Sequence, residues 1–105
     1  MFCITPTNKI ILTKGDNAEI DIRLYDKEER EVKILPSDII TFTVRKSKNK
    51  SVVIQKTAEL NSIYLVPSDT SNLIAGTYVY DIDLLRDNER QTIIPQSFFN
   101  IVGEV

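Results

Sequence analysis

The strongest constraint on this chain is an alternation of period two. Ala18, Ile20, Ile22 and Leu24 alternate with Glu19, Asp21, Arg23 and Tyr25. Ile40, Phe42 and Val44 alternate with Thr41, Thr43 and Arg45, and Tyr78, Tyr80, Ile82 and Leu84 with Thr77, Val79, Asp81 and Asp83. Successive side chains of a strand leave opposite faces, so each run makes a strand with one apolar face and one wet face. Such strands belong to antiparallel sheets, because parallel sheets are covered on both sides and read as continuous apolar runs. Shorter apolar runs at 9–13, 32–34, 52–54, 63–66, 92–94 and 98–102 fill the intervals as further strands. Turn formers such as Gly15-Asp16-Asn17, Pro36-Ser37-Asp38 and Asp87-Asn88-Glu89 separate them. Turns recurring roughly every 8–12 residues are the rhythm of a sandwich or barrel. Only Ser68-Asp69-Thr70-Ser71-Asn72-Leu73, after Pro67, reads as helical. It is one short helical turn near 68–73, with Ser68 or Asp69 to cap it. The expectation is an all-β chain forming a single domain over 1–105.

Composition then removes function classes. The chain has 105 residues, 42% hydrophobic and 27% charged, which suits one folded core rather than a disordered segment. It has no histidine, so a Ser-His-Asp triad, a Cys-His pair and a histidine-ligated zinc are all excluded. One cysteine, Cys3, forms no internal disulfide and no CxxC redox pair. It reads as a small apolar residue of a first strand, in keeping with a reducing site of synthesis. A net charge of -2 speaks against nucleic acid, whose binders carry a basic excess or stripe. No export signal opens the chain, and no apolar run approaches the ~18 residues of a spanning helix. The expectation is therefore a protein that is not an enzyme, with no cofactor, no metal, no membrane and no nucleic-acid partner.

Several clusters read as structural. Asp81 and Asp83 leave one face of a strand, as do Glu19 and Asp21, but no D-x-[DN]-x-[DN]-G loop organises them for calcium. They read as a solvated outer face. Arg45, Lys46, Lys48 and Lys50 gather at a hairpin tip without the interleaved aromatics of a stacking platform. Lysines at a strand end instead discourage edge-to-edge pairing. Asn49-Lys50-Ser51 matches a glycosylation sequon, a chance match in a chain without an export signal. Phe42, Phe98, Phe99, Tyr78 and Tyr80 fall mostly in the core by alternation. Tyr25 and Tyr64, together with Phe98, are the candidate docking aromatics.

The most specific local pattern is Leu73-Ile74-Ala75-Gly76-Thr77-Tyr78-Val79-Tyr80. A small residue, glycine, then tyrosine entering a long strand fits the tyrosine corner of immunoglobulin-like sandwiches, in which the hydroxyl bonds back to upstream backbone. Tyr78 would be the corner residue and Tyr80 would stand where antibody domains place their second cysteine. An ordinary glycine turn before a strand is the other reading.

With Val66-Pro67-Ser68-Asp69-Thr70 before it and Phe98-Phe99-Asn100-Ile101-Val102 after it, this segment resembles the small immunoglobulin-like domains of bacteriophage structural proteins, in particular the N-terminal domain of baseplate upper proteins. The likeness takes in Gly15-Asp16-Asn17 and Phe42-Thr43-Val44-Arg45 and so covers nearly the whole chain. It departs where the family often has glycine, at Gln96-Ser97 and at Asp87-Asn88-Glu89. The resemblance implies an immunoglobulin-like antiparallel β-sandwich in a virion: a tail, baseplate or neck module that docks to other phage structural proteins and to copies of itself. Strand addition at an exposed edge, 9–13 or 98–102, is one route. The competing class is a carbohydrate- or host-surface-binding module, although the chain lacks tryptophan, the usual sugar-stacking residue.

Overall fold

The computed structural model describes residues 2–48 and 50–103, so the Asn49 sequon lies outside the described residues. In chain order the elements are β1 (Phe2–Ile4), β2 (Ile10–Thr13), β3 (Ala18–Asp21), β4 (Leu24–Tyr25), β5 (Glu31–Val32), β6 (Ile39–Arg45), β7 (Val52–Thr57), β8 (Ser62–Leu65), α1 (Pro67–Thr70), β9 (Gly76–Arg86) and β10 (Glu89–Val102). With 57% of the described residues in strands and 4% helical, the class is all-β. Six strands form one sheet in the order β1-β2-β10-β9-β6-β7, while β3 pairs with β8 and β4 with β5. Among the described residues no helix is long and apolar enough to cross a membrane.

The period-two pattern decides which face of the large sheet is dry. Ile40, Phe42 and Val44 of β6, Tyr80 and Ile82 of β9, and Phe99 and Ile101 of β10 are all buried. They meet Ile20 of β3 and Ile63 and Leu65 of β8 in one hydrophobic cluster. Three rings mark its centre: Phe42 lies 5.5 Å from Tyr80 and 6.0 Å from Phe99, in tilted rather than stacked arrangements.

Local chemistry sets the boundaries. The β9–β10 hairpin closes on Asp87 (φ 52°) and Asn88 (φ 64°), two residue types that tolerate the left-handed region a two-residue turn requires. Glycine is therefore dispensable at that turn. It is not dispensable at Gly76, where φ is +154° and no neighbouring atom lies within 4 Å of where a Cβ would be. The demand there comes from the backbone, not from crowding.

Four details correct the sequence reading. Residues 18–25 are two strands, because the chain changes partner: β3 pairs with β8, the Ile22 N–H reaches the Asn61 carbonyl at 2.7 Å, and Leu24–Tyr25 then pairs with β5. Residues 92–94 and 98–102 lie in one strand. Pro95, which has no N–H to give, is absorbed by register shifts between Thr92 and Ile94 and between Ile94 and Ser97. The helical turn spans Pro67–Thr70 rather than 68–73, with proline in the first turn where a missing N–H costs nothing. Neither 9–13 nor 98–102 is a sheet edge. Phe2–Ile4 folds back antiparallel on β2, and β2 runs parallel to β10, so both segments are interior and the edges are β1 and β7.

Candidate functional site

The segment from Asp69 to Ile82 is a latch. The Asp69 carboxylate accepts the Val66 N–H at 2.8 Å and pairs with Lys56 at 2.9 Å, tying α1 to the edge strand β7. Thr70 is buried, and its hydroxyl accepts the Gly15 N–H at 2.8 Å, which fixes the β2–β3 turn. The Tyr78 hydroxyl donates to the Ile74 carbonyl at 2.6 Å, four residues upstream. The Tyr80 hydroxyl donates to the carbonyl of Asn8, a residue of the β1–β2 turn with φ 65°. Burial pushes the Tyr80 phenol up to about 12. These hydroxyls are occupied with holding backbone, and both aromatic bodies sit in the core.

The large-sheet face that looks away from the core carries a second set of groups. Phe98 pairs across to Val79 and is 58% exposed, so the expectation that it lies in the core is wrong for this member of the Phe98-Phe99 pair. Adjacent residues of a strand point oppositely, and Phe99 took the inner place. The expected solvated face at Asp81 and Asp83 is only partly wet: Asp83 is buried under Arg90, whose Nε and Nη2 both donate to its Oδ2. Asp81 is half-buried beside a small hollow of about 140 Å³ lined by Thr43, Arg45, Lys48 and Gln96. Burial pushes its carboxyl up, the Asp83 charge adds to the rise, and Arg45 and Arg90 pull it back.

A larger groove of about 870 Å³ opens between the β4–β5 hairpin, the 33–38 segment and the 58–61 turn. It is lined by the buried Ile22 and Leu24, by Val32, Ile34 and Leu35, and by the exposed Leu60. Leu60 is 87% exposed in a left-handed conformation (φ 58°), unusual for a branched apolar residue. Among the described residues no aromatic ring lines the groove. Its one shielded carboxylate, Asp38, is already committed to structure. Arg86 Nε donates to Asp38 Oδ1 at 2.8 Å, Arg86 Nη2 donates to Oδ2, and the Leu35 N–H reaches Oδ2 at 2.8 Å.

The Arg86 hydrogen bonds, helped by the Leu35 N–H and opposed by burial, hold the Asp38 carboxyl down from 3.8 to about 2. A carboxyl whose folded pKa is depressed stabilises the fold above its unfolded value and loses that contribution as pH falls through the folded one. Urea denaturation at stepped pH should therefore show Asp38→Asn weaker than the parent at pH 5, with the gap closing between about pH 4 and pH 2. A gap independent of pH in that window would remove the Asp38–Arg86 pair as its source. Asp81 works with the opposite sign: its raised pKa means that protonation on acidification favours the folded state.

The three docking aromatics do not share one surface. Tyr64 (44% exposed) pairs with Glu19 on the side of β3–β8 away from the core, and Tyr25 (58% exposed) leaves the chain in the same alternation as Glu19 and Asp21. Phe98 is on the opposite side of the molecule, on the large sheet. Gly76, Tyr78 and Tyr80 stand at the start of β9, Gly76 exposed and the two tyrosines buried in the core. Among the described residues no group of three His, Cys, Asp or Glu side chains is placed to hold a metal ion. Sequence reasoning missed the groove and its clamp, since Asp38 and Arg86 lie 48 residues apart and nothing in either segment announces the other. Leu60 did carry a signal, a leucine set among turn residues between two strands. No protein-family model and no curated protein matches this chain.

Proposed function

We propose that this chain is a non-enzymatic structural module of a bacteriophage or prophage virion, an immunoglobulin-like sandwich that works by docking to other virion proteins. The observation that carries the reading is the bond from Tyr78 back to Ile74 at the entrance of β9. A tyrosine near the start of the F strand, bonded to backbone a few residues upstream, is the corner of the immunoglobulin-like sandwich. The strand order supports it: β9 lies between β6 and β10, as F lies between C and G. β7 extends that sheet as C′ does, and β3 pairs with β8 as B pairs with E. Several residues that carry the resemblance to phage structural domains (Gly15, Asp69, Thr70, Tyr78, Tyr80) make the bonds that tie turns to the body of the fold. Docking in many copies multiplies weak contacts, so no single interface has to be strong.

The test is the particle itself. Particles purified on a density gradient from the strain that carries the gene should contain this chain at several copies each, read by quantitative mass spectrometry. Recovery of the chain only in the soluble fraction, with particles lacking it, overturns the reading. Binding of the monomer to a glycan array without incorporation would point to the carbohydrate- or host-surface-binding alternative, with the groove as its site. The absence of an aromatic ring from that groove weighs against it, because sugars stack their apolar faces on such rings.

A further inference from the structure

The large sheet ends in two edges, and they are unlike. At β7 the edge is guarded. Lys56 sits opposite the inward-facing Phe42 and is held by Asp69. The β6–β7 ladder shifts register between Val44 and Arg45, and Lys46, Lys48 and Lys50 crowd the hairpin that leads into it. Inward charges, bulges and lysines are the devices that block edge-to-edge pairing. β1 carries none of them: Phe2, Cys3 and Ile4 are uncharged, and their ladder to β2 runs without a shift.

Hydrogen-bond parity fixes which groups the β1 edge presents. The Thr5 N–H bonds the Lys9 carbonyl at 2.9 Å, and the Lys14 N–H bonds the Val102 carbonyl at 2.8 Å. Odd residues of β2 therefore face β1 and even ones face β10. Cys3, opposite Ile11, turns its N–H and C=O toward β2, which leaves those of Phe2 and Ile4 pointing out of the sheet. We propose that a second copy of this chain pairs with β1 antiparallel about a two-fold axis at Cys3, joining two six-stranded sheets into one. The proposal rests on the docking reading and names its surface.

A copy of the same strand fits because the pattern is self-complementary. In the two-fold register Phe2 meets Ile4 of the second copy, and every outward N–H and C=O of the two residues finds its opposite. The side chains agree: Phe2 is half-buried against the core and Ile4 is 43% exposed on the same face, so each would cover the other across the axis. Aromatic against β-branched is a favourable cross-strand pair. Cys3 then faces Cys3 of the second copy as a non-hydrogen-bonded pair, with Cα atoms about 4.5 Å apart. That lies within the separation a disulfide spans, so the exposed thiol serves as a reporter of the pairing.

The full chain is treated with diamide, which takes up the two electrons and two protons released as the Cys3–Cys3 bond forms. The dimer should form about tenfold or more faster than in a Cys3→Ser/Gln55→Cys control, because paired thiols see each other at an effective concentration far above the bulk. Gln55 lies on the guarded edge strand. Ile4→Pro removes one outward N–H and leaves the ladder to β2 intact, and it should fall to the control rate with an unchanged Tm. Ile4→Lys gives the same readout if the proline variant does not fold. Cross-linking of Cys3 no faster than the control, or unaffected by Ile4→Lys, overturns the proposal. Slow cross-linking of a chain that is nonetheless present in particles overturns the β1 pairing alone. A fast Cys3 dimer of a chain absent from particles supports the pairing and overturns the virion reading.

Discussion

Phe42→Ala is expected to lower stability by about 3–5 kcal/mol, the cost of deleting a fully buried aromatic ring and leaving a cavity behind. Phe42 has no exposed surface, and it stands mid-strand in β6, with β9 paired on one side and β7 on the other. Its ring contacts come from Tyr80 on β9 and Phe99 on β10, so three strands meet at one side chain. The ladders on both sides fix the backbone, and the void has little room to collapse. A domain of this size holds only about 5–15 kcal/mol in all, so the loss is a large share of the total. Thermal unfolding followed by circular dichroism should show a Tm lower by about 15–25 °C, or no cooperative transition. Phe98→Ala, on the wet face, should cost under about 1 kcal/mol. Similar losses at Phe42 and Phe98 would mean that the two faces of the sheet are assigned wrongly.

That contrast shows where the sequence could be read and where it could not. Alternation assigned the inner residues of β6 and β9 correctly, since each strand has one dry and one wet face and the pattern survives any pairing. It failed at Phe98-Phe99, where two adjacent aromatics offer the same hydrophobicity to both faces and only the partner strands choose between them. It also failed at the edges. Residues 9–13 look like a terminal strand until Phe2–Ile4 folds back over them, and three residues are too few to show a period. The helical turn was legible from Pro67 and Asp69, but the second use of Asp69, its pairing with Lys56, was not. The groove was invisible for the same reason as the Asp38–Arg86 clamp. Both are assembled from segments whose contact is set by topology, not by local propensity. The segment from Gly76 to Ile82 was the most legible part of the chain, because a glycine turn and two inward tyrosines state their structural demands within seven residues.

The second large effect is expected at Tyr80, whose hydroxyl holds a turn 72 residues away. Tyr80→Phe keeps the ring in its contacts with Phe42 and Phe99 and removes only the donor, leaving the Asn8 carbonyl without it. Losing a hydrogen bond to a part-buried acceptor costs about 1–2 kcal/mol. The loss should concentrate where the bond acts. Asn8 sits in the left-handed region, and the turn from Thr5 to Lys9 carries β1 back onto β2, so hydrogen exchange should rise at Thr5, Asn8 and Lys9 well before it rises in β6 or β9. The pH dependence reports the burial of the same phenol. Because the folded phenol is pushed from 10.0 to about 12, it contributes stability that is whole below pH 10 and is lost as pH rises toward 12. Tyr80→Phe should weaken the chain at neutral pH through the lost bond and flatten its alkaline decline through the lost phenol, measured by urea denaturation at pH 8 to 11.5. Unchanged exchange in the β1–β2 turn would show that Tyr80 supports the core but not the edge strand. The same variant should also slow diamide cross-linking at Cys3, since a β1 that frays from β2 no longer presents Phe2 and Ile4 in register to a second copy.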